Sequence, residues 1–417
     1  MPFQVIATDG KLPNMLYLAM KPHMYNLTSM EDVLVIGAGP IGSYTARALA
    51  RQGYRVTVLE KRPYLGSPVC CAGIISPQCA KMLNLEKLPA LSSFSGARIF
   101  SPRGRTIELE RSSTQALAVD RGFLDLAMAE SAQSAGAKFI FGSKASRVEA
   151  GKEDITVYTD NNSMPSFKSR LVVVAAGFSP RLTSALHLGK PADFTIGAQS
   201  QVEIPGSMPL TVFTSGLFAP GFFSWLEPLG DGIALAGLLC RKNTATHFNR
   251  FLHYLKETSQ IISTGKPQYR GVSLKPLSRT HGDRVLVIGD AAGQVKPITG
   301  GGIFYGLKAA DCAVNIIRSA FKQGDFSARE LAGYQKEWKK VIGRDIRLGR
   351  LARNIYEKLD ERRIENAFNA IIHSGLAQKL SEDESLRFDD HGSVVLKIIR
   401  TPAFYRTVAS IMAPVNN

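Results

Sequence analysis

Residues 31–62, EDVLVIGAGPIGSYTARALARQGYRVTVLEKR, constrain this chain more than any other stretch. Residues 33–36 are a short β-branched, apolar run, Gly37-Ala38-Gly39-Pro40-Ile41-Gly42 follows at once, and residues 43–52 carry apolar side chains at helical spacing. A second apolar run, 54–59, ends in Glu60. Strand, glycine turn, helix, strand and terminal acid in this register form the pattern of a dinucleotide-binding unit. Gly37 allows a tight exit from the strand, Gly39 keeps a side chain out of the space a pyrophosphate needs, and Gly42 allows close packing of the helix. The helix start at Pro40 offers unpaired amides and a partial positive charge, and the Glu60 carboxylate can accept hydrogen bonds from ribose hydroxyls.

At 417 residues and 45% hydrophobic content, the chain can bury the core of two domains, or of one large domain with insertions. Its apolar runs are broken by charge well before the roughly 18 residues a membrane-spanning helix requires. Residues 1–30 hold a short apolar patch without a small-residue cleavage pattern, so they do not read as a signal peptide. Met15, Met20, Met24 and Met30 are alternative starts, and a misplaced start or a disordered leader both stay open. Cys70, Cys71, Cys79, Cys240 and Cys312 form no metal-binding spacing and do not pair evenly, as expected of a reduced, cytoplasmic protein without zinc or iron–sulfur. The 51 Lys and Arg against 35 Asp and Glu give a formal charge of +16, which suits anionic partners or simply a solvated basic surface.

Along the chain, Pro63, Gly66, Pro68, Gly73 and Pro77 exclude a long regular element after Arg62 and predict an ordered loop. Residues 97–109 read as a hairpin around Pro102-Arg103-Gly104, and 120–135 as a helix stopped by Gly136. Residues 139–141 resume a strand, and 155–158 are expected to pair with 170–174, which run into Ala175-Ala176-Gly177. From 196 to 239 several strand candidates follow one another without helices, the pattern of a mainly antiparallel sheet. A helix over 244–256 precedes the strand 284–288, which opens GDAAGQVKPITGGGIFYGLKAADCAV, a second glycine-rich loop leading into a helix from about Gly301. Residues 327–417 read as helical. Arg344, Arg347, Arg350 and Arg353 recur every third residue as a basic stripe, for which an anionic surface and a solvated face are the two readings. The apolar segment 394–415 suits either a membrane interface or docking on the protein's own core.

A single glycine fingerprint does not separate NAD from FAD. The second strand-to-loop, ending in Gly289 and Asp290, makes the pair resemble the p-hydroxybenzoate hydroxylase-like flavoproteins, in which the aspartate holds the ribityl chain of FAD and the following helix start faces the pyrophosphate. The middle motif of those proteins stands here as Ala175-Ala176-Gly177, without its aspartate. GSPVCCAGIISP, PGFFSWLEPLGDGIALAGL and GDAAGQVKPITGGGIFYGLKAAD narrow the resemblance to the geranylgeranyl reductase family, from about Glu31 into the C-terminal helices. The resemblance implies an FAD enzyme that saturates isolated double bonds of isoprenoid chains. In that family's aromatic motif Phe223, Trp225 and Pro228 are in place, while Glu227 replaces a usually apolar residue. Cys71 aligns with the cysteine placed near the flavin, where a thiol can position substrate or donate a proton, or simply fill space.

The resulting expectations are specific. The fold is α/β: a discontinuous Rossmann-like FAD-binding domain (31–185 with 276–326), an inserted, mainly antiparallel substrate domain (186–275, joined by part of 75–115), and a helical C-terminal region (327–417) behind an N-terminal extension (1–30). Noncovalent FAD would be held by Gly37, Gly39, Pro40, Gly42, Glu60, Lys61, Arg62, Cys71, Ala72, Arg121, Gly177, Gly289, Asp290, Gly300, Gly301, Gly302 and Ile303. The prenyl lipid would meet Phe223, Trp225, Pro228 and Tyr305, with Cys71 catalytic. Reduction by NAD(P)H and reduction by a ferredoxin-like donor protein both stay open, as does peripheral contact with an anionic membrane; neither a metal nor nucleic acid is expected. A flavin monooxygenase or halogenase of the same fold and a quinone-directed electron-transfer flavoprotein are the alternatives.

Overall fold

The computed structural model describes residues 30–66 and 69–390 with Gly392, Val395 and Leu396. The N-terminal extension, Pro68 and nearly all of the apolar segment 394–415 lie outside the described residues.

The strand Glu31–Ile36 is the middle of a parallel sheet. In order, His281–Gly282, Val285–Val287, Ser166–Val174, Glu31–Ile36, Val56–Leu59 and Lys138–Ile140 lie side by side, all parallel except the His281–Gly282 edge. Alternation divides its buried side chains between two cores. Val33 and Val35 pack with Ala46 and Leu49 of helix Pro40–Ala50, Ala129 of helix Arg121–Ser134 and Ala309 and Ala313 of helix Ile303–Gln323. Leu34 and Ile36 face Val148, Ile155 and Val157 of an antiparallel ribbon on the other side. A parallel sheet covered on both faces needs such continuous apolar strands.

Residues 155–158 pair with the first half of Ser166–Val174, Ile155 opposite Ser169 and Tyr158 opposite Ser166, instead of with 170–174. Leu171–Val174 are committed to Glu31–Ile36, and Val172–Val174 also to Val285–Val287. One long strand thus serves two sets of partners along its length within one sheet, which a local pattern does not separate. Residues after Arg62 also hold more order than a loop, because Ile74–Ile75 pairs with Ala116–Val119 and helix Pro77–Leu83 follows. Pro77 occupies the first turn, where its missing N–H costs nothing, and the Ser76 hydroxyl accepts from the Cys79 amide at 2.8 Å. Pro77, one of the residues expected to keep this stretch a loop, begins a short helix here.

The second large sheet is antiparallel through Ser263–Thr264, Phe194–Glu203, Ile233–Cys240, Ser224–Gly230 and Thr211–Phe213, with Gln268–Ser273 also on Phe194–Glu203. The expected hairpin, Ala97–Phe100 with Thr106–Leu109, joins it by a parallel pairing of Ala97–Phe100 with Thr211–Phe213. Ala198, Leu226, Ala236 and Leu238 pack on one face against Phe248, Phe251 and Leu255 of helix Thr244–Glu257. The opposite face looks toward the parallel sheet.

Helices Ala328–Tyr356, Glu361–His373 and Leu376–Glu382 form the described C-terminal region. The four arginines do not share one face. Arg344 and Arg347 are exposed, but Arg353 is 3% exposed, donates to the Gly221 carbonyl at 2.5 Å and lies 3.2 Å from the centroid of the Phe222 ring. A three-residue repeat advances around a 3.6-residue helix, so the stripe turns into the core at its end. No helix among the described residues is long and apolar enough to cross a membrane.

Candidate active site between two sheets

Two glycine segments from opposite parts of the chain meet at one place. Gly37 has φ +109°, and a Cβ there would lie 2.6 Å from the Ala175 carbonyl oxygen. A Cβ on Gly42 would fall 1.9 Å from the Gly37 carbonyl oxygen, so the first helical turn rests directly on the turn. Gly39 differs: a Cβ there would meet nothing within 4 Å, and Gly39 caps the helix with no side-chain hydrogen bond while Pro40 begins it. The second segment reaches the same point through Ile41, which a Cβ on Gly306 would meet at 2.7 Å and one on Gly289 at 3.5 Å. Helix Ile303–Gln323 likewise begins at a glycine, Gly302, with no side-chain cap. A Cβ on Gly302 would lie 2.0 Å from Asp290 Oδ1, so only glycine admits that carboxylate to the helix start. Two uncapped, dipole-positive helix starts beside an unobstructed backbone fit an anionic diphosphate.

The acid at the end of the second strand is more engaged than expected. Glu60 is buried, with Oε2 accepting from the Ala38 amide at 2.8 Å and Oε1 accepting from the Arg62 Nε at 3.0 Å. It braces the glycine turn and still has lone pairs to offer a ribose. Arg62 reaches on to Asp125 at 3.5 Å, and Arg121 pairs with the same Asp125 at 2.9 Å. Burial works against the charge of Arg121, but the Cys71 sulfur and Asp125 more than offset it and hold the guanidinium above its ordinary value. Asp125 carries no sequence motif. Its only local signal is the four-residue offset from Arg121.

The cysteine loop stands between this charge chain and the antiparallel sheet. Gly73, at φ +78°, brings the loop so close to Arg121 that a Cβ would meet the Arg121 Cγ at 3.3 Å. The Cys71 sulfur lies beside the Arg121 side chain and favours its charge. Half-buried Ala72 follows it, and the Cys70 thiol approaches the Gln268 carbonyl at 3.5 Å. Burial, with Cys71 adding, raises the Cys70 thiol to about 12. Cys70, to which the sequence gives no role, therefore contacts the sheet and leaves Cys71 against the arginine.

Across from the loop, register places Trp225, Gly237, Gln199 and Gln268 side by side on one face, with Glu227 two residues along. The Trp225 ring lies over Gly237, where a Cβ would meet it at 2.3 Å, and the Phe223 ring is 6.0 Å from it. Arg270, on the same face, pairs with Asp290 at 3.1 Å, and a Cβ on Gly177 would stand 3.0 Å from its Nη2. A Cβ on Gly300 would meet Val272 at 3.3 Å and Leu239 at 3.5 Å, so the second glycine loop abuts this sheet. Buried Lys296 lies in that loop and pairs with buried Asp389, which also accepts from the Ser76 hydroxyl, so the C-terminal region ties the loop to the cap of helix Pro77–Leu83. Three polar groups of the sheet face, Gln199 Oε1, Trp225 Nε1 and both Glu227 oxygens, are buried without a hydrogen-bond partner among the described residues. Unpaired buried groups are costly, so such a cluster points to a missing ligand.

Other expected residues fall elsewhere. Tyr305 is 1% exposed within the core behind the parallel sheet, packed with Trp338 and Ile346, because its helical position points away from the helix start toward Ala328–Tyr356. Pro228, one residue from Glu227, alternates to the opposite side and lines an open groove with Phe94, Met208 and Leu210. Lys61 is exposed, Gly301 lies in the loop between Lys296 and the helix start, and half-buried Ile303 packs beside Leu83 and Leu307. Sequence reasoning missed Asp125, Gln199, Arg270 and Asp389, whose places depend on tertiary pairing alone.

The FAD dependent oxidoreductase family, DAO, matches residues 32–118. Digeranylgeranylglycerophospholipid reductase 2 of Methanothermobacter thermautotrophicus is 29% identical over 384 residues, covering 88% of this chain and 98% of that protein. Digeranylgeranylglycerophospholipid reductase of Methanocaldococcus jannaschii is 27% identical over 368 residues, covering 84% and 93%. Among solved structures, a geranylgeranyl bacteriochlorophyll reductase-like protein of Thermoplasma acidophilum superimposes with a TM-score of 0.80 at 22% identity, over 92% of this chain and all of that one. These findings bear out the resemblance read from the motifs.

Proposed function

We propose that this FAD-dependent oxidoreductase saturates isolated double bonds in the prenyl chains of an isoprenoid lipid of the geranylgeranyl type. The observation that carries the reading is that the glycine cradle adjoins the sheet face of Trp225, through the Arg270–Asp290 pair and Gly300 against Val272 and Leu239, with Cys71 beside Glu227 of that face. In this reading residues 31–185 and 276–326 hold the flavin, 186–275 with strands from 75–115 hold the lipid, and 327–417 brace both.

FAD, when reduced, supplies a hydride. The chain's own residues would then do the following. Gly37, Gly39, Pro40 and Gly42 admit the diphosphate to one helix start and Gly300, Gly301, Gly302 and Ile303 to the other. Glu60 accepts from the ribose, Gly289 and Asp290 take the ribityl chain, and Gly177, Ala72, Lys61, Arg62 and Arg121 complete the surround. The Arg270–Asp290 pair stands across the cleft in their place. Being partly solvated, it contributes only about 0–1 kcal/mol, so exchanging it for ribityl hydroxyls is cheap. Phe223 and Trp225 line the path of the prenyl tail, and Cys71 positions the reacting carbons. NAD(P)H or a ferredoxin-like protein supplies the electrons, and the work is done in the cytoplasm against a membrane that holds the lipid.

The test is anaerobic incubation of the reduced, flavin-loaded protein with digeranylgeranylglycerophospholipid, geranylgeranyl diphosphate and a prenylquinone, with products read by mass spectrometry. Stepwise gain of hydrogen pairs with matching flavin reoxidation is expected. Reoxidation by none of the three lipids would overturn the reading.

A further inference from the structure

Glu227 sits in mid-strand with 0% exposure, and neither carboxyl oxygen has a partner among the described residues. Its neighbour Leu226 points into the apolar core under helix Thr244–Glu257, so alternation turns Glu227 with Trp225 toward the cleft. There Cys71 lies close enough for its sulfur to interact electrostatically with the carboxyl. The two cations on this side, Arg121 and Arg270, are already committed, to Asp125 at 2.9 Å and to Asp290 at 3.1 Å. An ionised carboxylate at Glu227 would therefore stand in a dry site without a counter-charge, and such groups keep their proton instead. Burial, with Cys71 adding, pushes the carboxyl well above the ordinary carboxylic range. A neutral acid that makes no structural hydrogen bond, held on the face where a substrate double bond would lie, has no packing role that leucine would not fill better.

We propose that Glu227 is the acid that protonates the alkene. The inference rests on the prenyl-reductase reading. As the π bond breaks, one carbon receives the hydride that reduced flavin gives up, and the other receives the Glu227 proton. Two C–H bonds form, the lipid is reduced, the flavin is oxidised, and Glu227 is left as a carboxylate. Water admitted as the product leaves restores its proton, and the donor that reduces the flavin restores the hydride. Cys71 stands beside both this acid and Arg121.

Glu227→Gln keeps the shape and removes the acid. Flavin content and reduction of the flavin by dithionite should match the parent, while reoxidation of the reduced flavin by digeranylgeranylglycerophospholipid should slow by about 100-fold or more, the usual scale of general-acid catalysis. A second readout needs no turnover: infrared spectra of the oxidised, lipid-free protein at neutral pH should contain a protonated-carboxyl band, shifted in heavy water, that the variant lacks. Glu227→Leu replaces glutamine in both measurements if that variant folds poorly. A variant that reduces the lipid at the parent's rate, or a parent with no protonated band assignable to Glu227, overturns the proposal. A parent that reduces no prenyl lipid while the band is present overturns the reductase reading and, with it, the acid's assignment to an alkene.

Discussion

The two walls of the cleft are built in opposite ways. The wall on the parallel sheet offers backbone: Gly37, Gly39, Gly42 and Gly302 matter because they lack side chains, and each sits in a local strand-turn-helix unit. The wall on the antiparallel sheet offers side chains, and Gln199, Trp225, Glu227 and Arg270 come from three strands joined only by pairing. The first wall presents a generic feature, free backbone amides at helix starts, which suits any anionic diphosphate. The second presents particular functional groups, the kind of lining that fixes orientation and specificity. Generic binding is thus concentrated in short motifs, and specific chemistry is dispersed.

The contrast can be broken most severely within the glycine wall. Gly42→Val would force methyl groups into the Gly37 carbonyl, which a Cβ alone would reach at 1.9 Å, and should cost more than about 4 kcal/mol, leaving little folded protein by thermal melting. At Gly39 a Cβ would meet no neighbouring atom within 4 Å, so Gly39→Val should fold and melt near the parent yet emerge colourless. If Gly39→Val retained full flavin, the cradle assignment would fail.

On the side-chain wall the expected effects are smaller in stability and larger in chemistry. Gly237→Ala would displace the Trp225 ring and cost about 1–3 kcal/mol by overpacking, with flavin retained and lipid turnover lowered. Flavin loss in this variant would show that the two walls are not separable. Cys71→Ala should lower stability by less than about 1.5 kcal/mol and leave flavin reduction unchanged, while prenyl reduction drops well below that of a Cys70→Ala control. Equal rates in the two variants would return Cys71 to packing.

The smallest effects are expected outside the cleft and serve as its reference. Arg344→Gln with Arg347→Gln, both exposed, should change stability by no more than about 0.5 kcal/mol, whereas Arg353→Gln removes a buried contact to the Gly221 carbonyl and should cost about 1.5–3 kcal/mol. Flotation with anionic vesicles at rising salt separates a lipid-facing role from a solvated one. Weaker flotation of the double variant supports the former, and unchanged flotation the latter.

Much of the fold was legible because its signals are local. The run into Gly37, the helix stopped by Gly136 and the strands of 194–240 each follow from residues a few positions apart. Pro77 shows the limit: its sequence signal is the same whether it ends an element or opens one, and the Ser76 cap held by distant Asp389 is specific to the folded protein. Residues 155–158 show another, since strand pairing is a contest between partners and the parallel sheet claims 171–174 first.

By itself, the sequence determined that a diphosphate-bearing cofactor has a place here, because a glycine's missing Cβ and a helix start act over a single turn of chain. Tertiary structure alone decided what stands opposite the glycine turns. It set Cys71 on Arg121, turned Glu227 and Trp225 inward while sending Pro228 to an outer groove, and buried Tyr305 behind the sheet. The physical reason is that a side chain's direction is a matter of register, and its charge state a matter of burial. Both are fixed only when strands far apart in sequence lie against one another.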